Sequence, residues 1–245
     1  VHQNEGSATV ENVEKKLREE AKGLLAEKKV DVVVGYEKGT LPLTATPCFI
    51  TTPEEADRLV WNPFCVLNLA KFVHDLLGQH HEAQKRVKPE ARRKKVVGVV
   101  ARGCTSRSLV IQLQEKQYGR DELVMLGVPC GGYLDGKKLA ALAGGEEIRE
   151  GSLDEGKIVV KTVSGEHQAA LKGLLADNCL VCRFNQPVIA DIRTGEVAPV
   201  AEAENQYDPV TAFENLPQEA RWAYFEKEMA KCIRCSACRK RRLRW

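Results

Sequence analysis

Apolar residues Val10, Val13, Leu17, Ala21, Leu24 and Leu25 recur among glutamates and lysines at helical spacing, which predicts an amphipathic helix from about Val10 to Lys29. It leads into Val30-Asp31-Val32-Val33-Val34-Gly35, a β-branched run that reads as a buried strand. Leu41 to Pro53, rich in Pro and Thr, is expected to be extended and irregular. Thr52-Pro53-Glu54-Glu55 then has the chemistry of a helix start: Thr52 can cap, proline suits the first turn, and the acids face the positive end of the dipole. Asn62-Pro63-Phe64-Cys65 breaks that helix, Val66 to Leu77 continues as another, and Gly78 is expected to end it. Lys85 to Lys95 is polar and basic, a surface loop.

The most regular pattern follows. Lys95 to Ala101 is a strand, Gly103-Cys104-Thr105-Ser106 a turn, Arg107 to Gln117 a helix, and Leu123 to Val128 a second apolar strand ending in Pro129-Cys130-Gly131-Gly132. This is a βαβ unit, whose parallel strands are neighbours about 4.8 Å apart. Cys104 and Cys130 each follow a strand end closely, so their sulfurs are expected to be near each other. Further on, the pattern predicts a short helix at Leu134 to Leu142, a strand at Lys157 to Val163, a helix from His167 to Ala176 and a short strand at Pro187 to Ile192. Trp222, Phe225 and Met229 mark one face of a last helix, Pro217 to Lys231, and are expected to pack. The fold class predicted is α/β, a mixed and largely parallel sheet with flanking helices, plus a C-terminal helix leading to a partial ferredoxin-type motif. The expected division is an α/β cluster-binding redox domain at 1–196, a linker at 197–216, and a helix with an incomplete ferredoxin-like segment at 217–245.

Composition narrows the class. The 245 residues are 43% hydrophobic and 29% charged, enough for a packed core. No apolar run is long enough to span a bilayer and the N-terminal helix is charged, which gives the expectation of a cytoplasmic protein without membrane insertion. The chain begins with Val1, as a fragment, a processed end or an unusual start would. The net charge is +3, and the basic excess sits in the end segment Arg239-Lys240-Arg241-Arg242-Leu243-Arg244-Trp245. Such a block can grip nucleic acid, but as a solvated end it argues for no nucleic-acid partner. Nine cysteines without a secretion signal point to metal or redox chemistry in a reducing compartment rather than a disulfide framework.

Cys232, Cys235 and Cys238 stand at C-x-x-C-x-x-C spacing, the opening of the run by which bacterial-type ferredoxins hold a [4Fe-4S] cluster. Arg242 occupies the position of the fourth ligand, so the motif is one sulfur short. A complete set of four lies upstream: Cys104 and Cys130 at strand ends, and Cys179 and Cys182 in a C-x-x-C turn. These could ligate one cubane cluster; a structural zinc, or unligated buried thiols, are the other readings. Arg102 and Arg107 flank Cys104, Arg183 follows Cys182 and Arg234 lies in the terminal triplet; nearby cations lower thiol pKa and raise the potential of an anionic cluster. Asp191, polar in an apolar strand, either orients a cofactor or makes a strand-end hydrogen bond. Cys48 and Cys65 lack ligand spacing and read as small buried hydrophobes. His74, His80 and His81 read as solvated residues near a helix end.

With these residues in view, Val96 to Arg107 (VVGVVARGCTSR), Leu123 to Gly131 (LVMLGVPCG) and Cys179 to Gly195 (CLVCRFNQPVIADIRTG) resemble the beta-subunit family of coenzyme F420-reducing hydrogenase and F420-dependent formate dehydrogenase. The resemblance covers about residues 25 to 196. It implies a cluster-bearing electron-transfer subunit beside a flavin, with redox partner subunits that carry further iron-sulfur clusters or flavin. It also makes Cys104, Cys130, Cys179 and Cys182 the preferred [4Fe-4S] ligands. The glycine- and threonine-rich N-terminal loop expected to hold flavin does not stand in this sequence, which leaves FAD and F420 open. The function expected is electron transfer in a hydrogenase-, formate dehydrogenase- or heterodisulfide reductase-linked complex. The alternative is a zinc-stabilised nucleic-acid or protein-binding module with a basic tail.

Overall fold

The computed structural model describes residues 6–195 and 207–236, with the side chains of the first helix described from residue 12 onward. Two compact units divide the chain, residues 1–201 and 202–245.

In the larger unit the central sheet has five strands in the order β2-β1-β3-β4-β8. These are β1 (Val32–Lys38), β2 (Ala45–Ile50), β3 (Val97–Ala101), β4 (Leu123–Gly127) and β8 (Ile192–Arg193). All neighbours run parallel except β2, which returns antiparallel along β1. The valine-rich β1 and β3 are buried through their centres, as strands covered on both faces must be. Helices α1 (Gly6–Ala26), α2 (Ala70–Gln84) and α3 (Gly103–Gln114) supply the cover. Val13, Leu17, Ala21, Leu24 and Leu25 put the apolar stripe of α1 into the same core as Val33, Val99, Leu109 and Met125. The mixed α/β sheet with flanking helices is the fold class the pattern predicts.

Several elements differ from expectation. The stretch from Leu41 to Pro53 contains β2, whose Cys48 and Ile50 point inward while Phe49 is exposed. Pro47 is tolerated because β2 is an edge strand, with a partner on one side only. Thr52 caps nothing; instead Glu55 Oε2 accepts hydrogen bonds from the Thr51 and Thr52 amides and the Thr51 hydroxyl, and the turn at Glu54–Arg58 is 3-10. Helix α2 starts later than Val66, where Asn68 Oδ1 accepts the Ala70 amide, and it runs on through Gly78. A single glycine costs a helix only about 1 kcal/mol.

A second sheet is inserted after β4. Helix α4 (Gly136–Leu142) leads to the antiparallel strands β5 (Glu150–Asp154), β6 (Lys157–Lys161) and β7 (Glu166–Ala170), which pack on a small core of Leu43, Leu134, Ile158, Val160 and Leu174. The segment from His167 was expected to be helical, yet its first part is β7. Pairing of Val160 with His167 and Ile158 with Ala169 outweighs the helix propensity of its alanines. Only single helical turns follow, α5 (Leu171–Leu174) and α6 (Asp177–Leu180).

In the smaller unit, α7 (Asp208–Glu214) forms inside the stretch 197–216 expected to be linker, and α8 (Gln218–Ala230) follows. Rings of Phe213, Tyr224 and Phe225 meet edge to face, so α7 has a packing reason to exist. Trp222 and Met229 are exposed rather than packed. No helix among the described residues is long and apolar enough to cross a membrane.

Candidate functional site

Parallel strands β3 and β4 end side by side, with Ala101 level with Gly127. The chain leaves both at the same sheet edge, and there the upstream cysteines gather. Arg102 is extended and closes β3; Cys104 lies in the first turn of α3, since that helix begins at Gly103 rather than Arg107. Cys130 follows β4 after Val128 and Pro129. The segment behind it is pinned by long-range backbone bonds: the Asp135 amide to the Leu174 carbonyl at 2.9 Å, and the Ala176 amide to the Tyr133 carbonyl at 3.0 Å. Those bonds bring α6, with Cys179, alongside Cys130.

Two glycines allow the close approach. A Cβ on Gly103 would lie 1.9 Å from the Phe184 carbonyl oxygen, so the backbone just past the C-x-x-C sits directly on the N-terminus of α3. Gly132 takes φ +106°, and a Cβ there would meet Cys179 Cβ at 3.2 Å. The Cys130 amide donates to the Asn185 carbonyl at 2.9 Å, and the Val188 amide to Ser106 Oγ at 3.0 Å, holding the 182–188 segment across both strand ends.

Cys104 is exposed, and Cys130, Cys179 and Cys182 are partly buried. Burial raises the Cys130 pKa; the Gly132 amide and Arg102 oppose that rise, while Cys104 and Cys179 add to it. Cys179 is likewise raised, first by burial, with Arg102 lowering and Cys182 and Cys104 raising. Backbone amides already point at two of the four thiols, Gly132 N–H to Cys130 Sγ and Phe184 N–H to Cys182 Sγ, both at 3.4 Å. Among the described residues no group of three or more His, Cys, Asp and Glu side chains has the arrangement to hold a metal ion.

Arg102 and Arg107 differ in placement. Arg102 is buried, its guanidinium donating to the carbonyls of Cys65, Val66 and Leu67. Arg107 is exposed and stacks on the Phe184 ring, 4.3 Å to the centroid. Asp191 stands apart from the cysteines: its carboxylate accepts the Met125 amide at 2.7 Å and Arg120 Nη2 at 2.5 Å, the strand-end role. Cys48 and Cys65 are buried, with burial first among the causes that push both thiols up to about 12. Cys65 also interacts with Cys130 and Arg102, a proximity that no ligand spacing announces. His81 is not merely solvated; its Nε2 lies 2.6 Å from Glu122 Oε1. In the smaller unit Cys232 and Cys235 are exposed, Arg234 and Ser236 have φ of 54° and 58°, and Cys238 and the basic end lie outside the described residues.

No family model matches the chain. It is 25% identical over 199 residues to the F420-dependent formate dehydrogenase 1 subunit beta of Methanococcus maripaludis, a match covering 76% of this chain and 48% of that protein. A second match, 24% identical over 188 residues, is to the F420-dependent formate dehydrogenase subunit beta of Methanocaldococcus jannaschii and covers 71% of this chain and 46% of that one. The chain thus spans about half the length of the curated relatives it matches. Among solved structures it is similar to a chain of the F420-reducing [NiFe] hydrogenase complex from Methanosarcina barkeri, at 18% identity and a TM-score of 0.44, over 72% of this chain and 64% of that chain. The resemblance to the beta-subunit family read from the residues is matched by relatives that carry that description.

Proposed function

We propose that the chain is an iron-sulfur electron-transfer subunit of a larger redox complex, with Cys104, Cys130, Cys179 and Cys182 as the thiolates of one [4Fe-4S] cluster. The observation that carries this reading is the convergence of the three stretches that bear Cys104, Cys130 and the Cys179-Cys182 turn on the edge where β3 and β4 end. A tetrahedral zinc, with Zn–S about 2.3 Å, needs its sulfurs about 3.8 Å apart. A cubane gives each thiolate a different iron and takes four cysteine thiolates, the donor set these positions offer.

When bound, the cluster supplies one-electron chemistry. The residues of the chain do the rest. Amides of Gly132 and Phe184 donate to thiolate sulfurs and stabilise their negative charge, the second-shell support that tunes such centres. Tyr133 and Phe184 bring aromatic surface against the arginines of the site. The relatives support a setting in a formate dehydrogenase-linked complex, and a hydrogenase- or heterodisulfide reductase-linked complex fits the same chemistry. The electron partner is a flavin or a cluster on a partner subunit, in a reducing, cytoplasmic compartment; FAD and F420 enter as candidates for that partner.

Anaerobically purified protein is expected to contain iron and to absorb near about 400 nm, and Cys104→Ser to lose most of both. A colourless, zinc-loaded protein with salt-sensitive nucleic-acid binding would establish the zinc module instead.

A further inference from the structure

A second block of positive charge stands far from the terminal one in sequence. Seven of the eleven residues from Lys85 to Lys95 are basic and one, Glu90, is acidic, although the whole chain carries only +3. Lys85 pairs with Glu82 and Lys94 with Asp121. Among the described residues, Arg86, Lys88, Arg92, Arg93 and Lys95 meet no carboxylate within ion-pair distance. All of these but the half-buried Lys95 are exposed.

The loop is held in shape rather than left free. A 3-10 turn at Pro89–Ala91 lies at its centre, closed by the Ala91 amide to the Lys88 carbonyl at 2.9 Å and the Arg92 amide to the Pro89 carbonyl at 3.3 Å. Arg92 Nε donates to the Val87 carbonyl at 3.1 Å. From α2, His80 Nε2 donates to the Arg93 carbonyl at 2.8 Å, and Gln84 Oε1 accepts the Arg93 amide at 3.0 Å. None of these bonds brings a negative charge. They keep like charges close together, and the repulsion among them is relieved when carboxylates arrive from outside. The loop enters β3 at one end, and the chain leaves the other end toward Cys104. Strand residues rise about 3.3 Å each, so the ends of β3 are roughly 15 Å apart. Loop and cysteine-bearing edge thus lie at opposite ends of the sheet, and one can be gripped while the other stays open.

We propose that the 85–95 loop is a docking surface for an acidic partner protein, one that presents a cluster of Asp and Glu side chains. Charge complementarity carries the assignment, which is independent of the cluster reading. Exposed Glu82, Glu90 and Asp121 border the cations and repel a sugar-phosphate backbone laid across them. The loop holds no aromatic ring on which a base could stack. Val87, Pro89 and Ala91 are its only apolar side chains, too small to anchor it in a bilayer. Discrete carboxylates on a folded partner can meet the five cations and avoid the three acids, the arginines offering them a planar two-point fork. The field of the loop also steers such a partner toward it.

The test measures binding of a fluorescein-labelled oligoglutamate peptide to the full chain by anisotropy. The terminal basic block is first neutralised by Arg239→Ser, Lys240→Ser, Arg241→Ser, Arg242→Ser and Arg244→Ser, so that it does not mask the loop. In that background the loop variant combines Arg86→Glu, Lys88→Glu and Arg93→Glu. The control variant combines Lys137→Glu, Lys157→Glu and Lys172→Glu, which change the net charge equally at exposed positions elsewhere. The loop reversals are expected to weaken binding about tenfold at low salt and the control reversals by no more than about twofold. The difference should close as salt is raised from about 50 to about 500 mM. Should the loop reversals prevent folding, Arg86→Gln with Arg93→Gln, expected to weaken binding about threefold, decides in their place. Equal weakening by loop and control reversals overturns the assignment, since net charge alone then accounts for binding. A tail-neutralised chain that binds no peptide also overturns it. Tighter binding of single-stranded DNA or of phosphatidylserine vesicles than of the peptide, lost with the loop reversals, assigns the surface to a polyphosphate or a membrane and overturns the protein partner.

Discussion

Two glycines of similar appearance in the sequence have opposite weight. Gly103 is buried at the start of α3, and any Cβ would collide with the Phe184 backbone, which cannot swing aside as a side chain would. Gly103→Ala is therefore expected to cost about 1–3 kcal/mol, as overpacking does, and to displace the segment carrying Cys182. Gly78, inside α2, has no atom within 4 Å of its would-be Cβ. Gly78→Ala should stabilise by about 0.5–1 kcal/mol through helix propensity and a less flexible unfolded chain. Urea melts of the two variants, with iron content measured on the same preparations, check the pair: iron should fall in the first and hold in the second. A Gly103→Ala protein with wild-type stability would mean that the 182–188 segment does not rest on α3.

At the scale of elements, the small sheet supports the thiol site as well as itself. Leu134 and Leu174 belong to its core, and the same stretches carry the backbone bonds that bring Cys130 and Cys179 together. Ile158 is fully buried there, so Ile158→Ala is expected to lose about 2–5 kcal/mol, read by chemical denaturation, with faster hydrogen exchange at the Ala176 amide. The sequence makes some of this legible. Val96 to Ala101 and Leu123 to Val128 are unbroken apolar runs joined by a helical pattern, so the βαβ unit, with Cys104 and Cys130 each just beyond one of two neighbouring strand ends, follows from period and length alone. Strand β5 is a polar Glu-Gly-Ser-Leu-Asp exposed along most of its length, and β7 holds helix-favouring alanines. Both exist because β6 lies between them, a tertiary fact that a local pattern does not carry. Arg102 illustrates the same limit at the site: its neighbours Cys65, Val66 and Tyr133 come from elsewhere in the chain, and only folding makes the cation buried.

For the whole molecule, the terminal cysteines can be separated from the upstream ones because they lie in a different compact unit. If Cys232, Cys235 and Cys238 take up iron, Cys235→Ser will lower the iron content of the anaerobic protein while leaving the signal of the upstream site in place; unchanged iron would mean that the triplet binds none. The insertion of α4 and the small sheet between Cys130 and Cys179 also has a consequence in time. A chain growing from its N-terminus presents Cys104 and Cys130 well before the hairpins and the C-x-x-C have been made. The contacts that complete the site, Tyr133 with Ala176 and Cys130 with Asn185, are long in sequence and so belong to the late stages of folding. Iron delivery during synthesis would meet half a set of ligands. On the cluster reading, maturation would follow synthesis, and the interval before it would be when the exposed Cys104 is most open to oxidation.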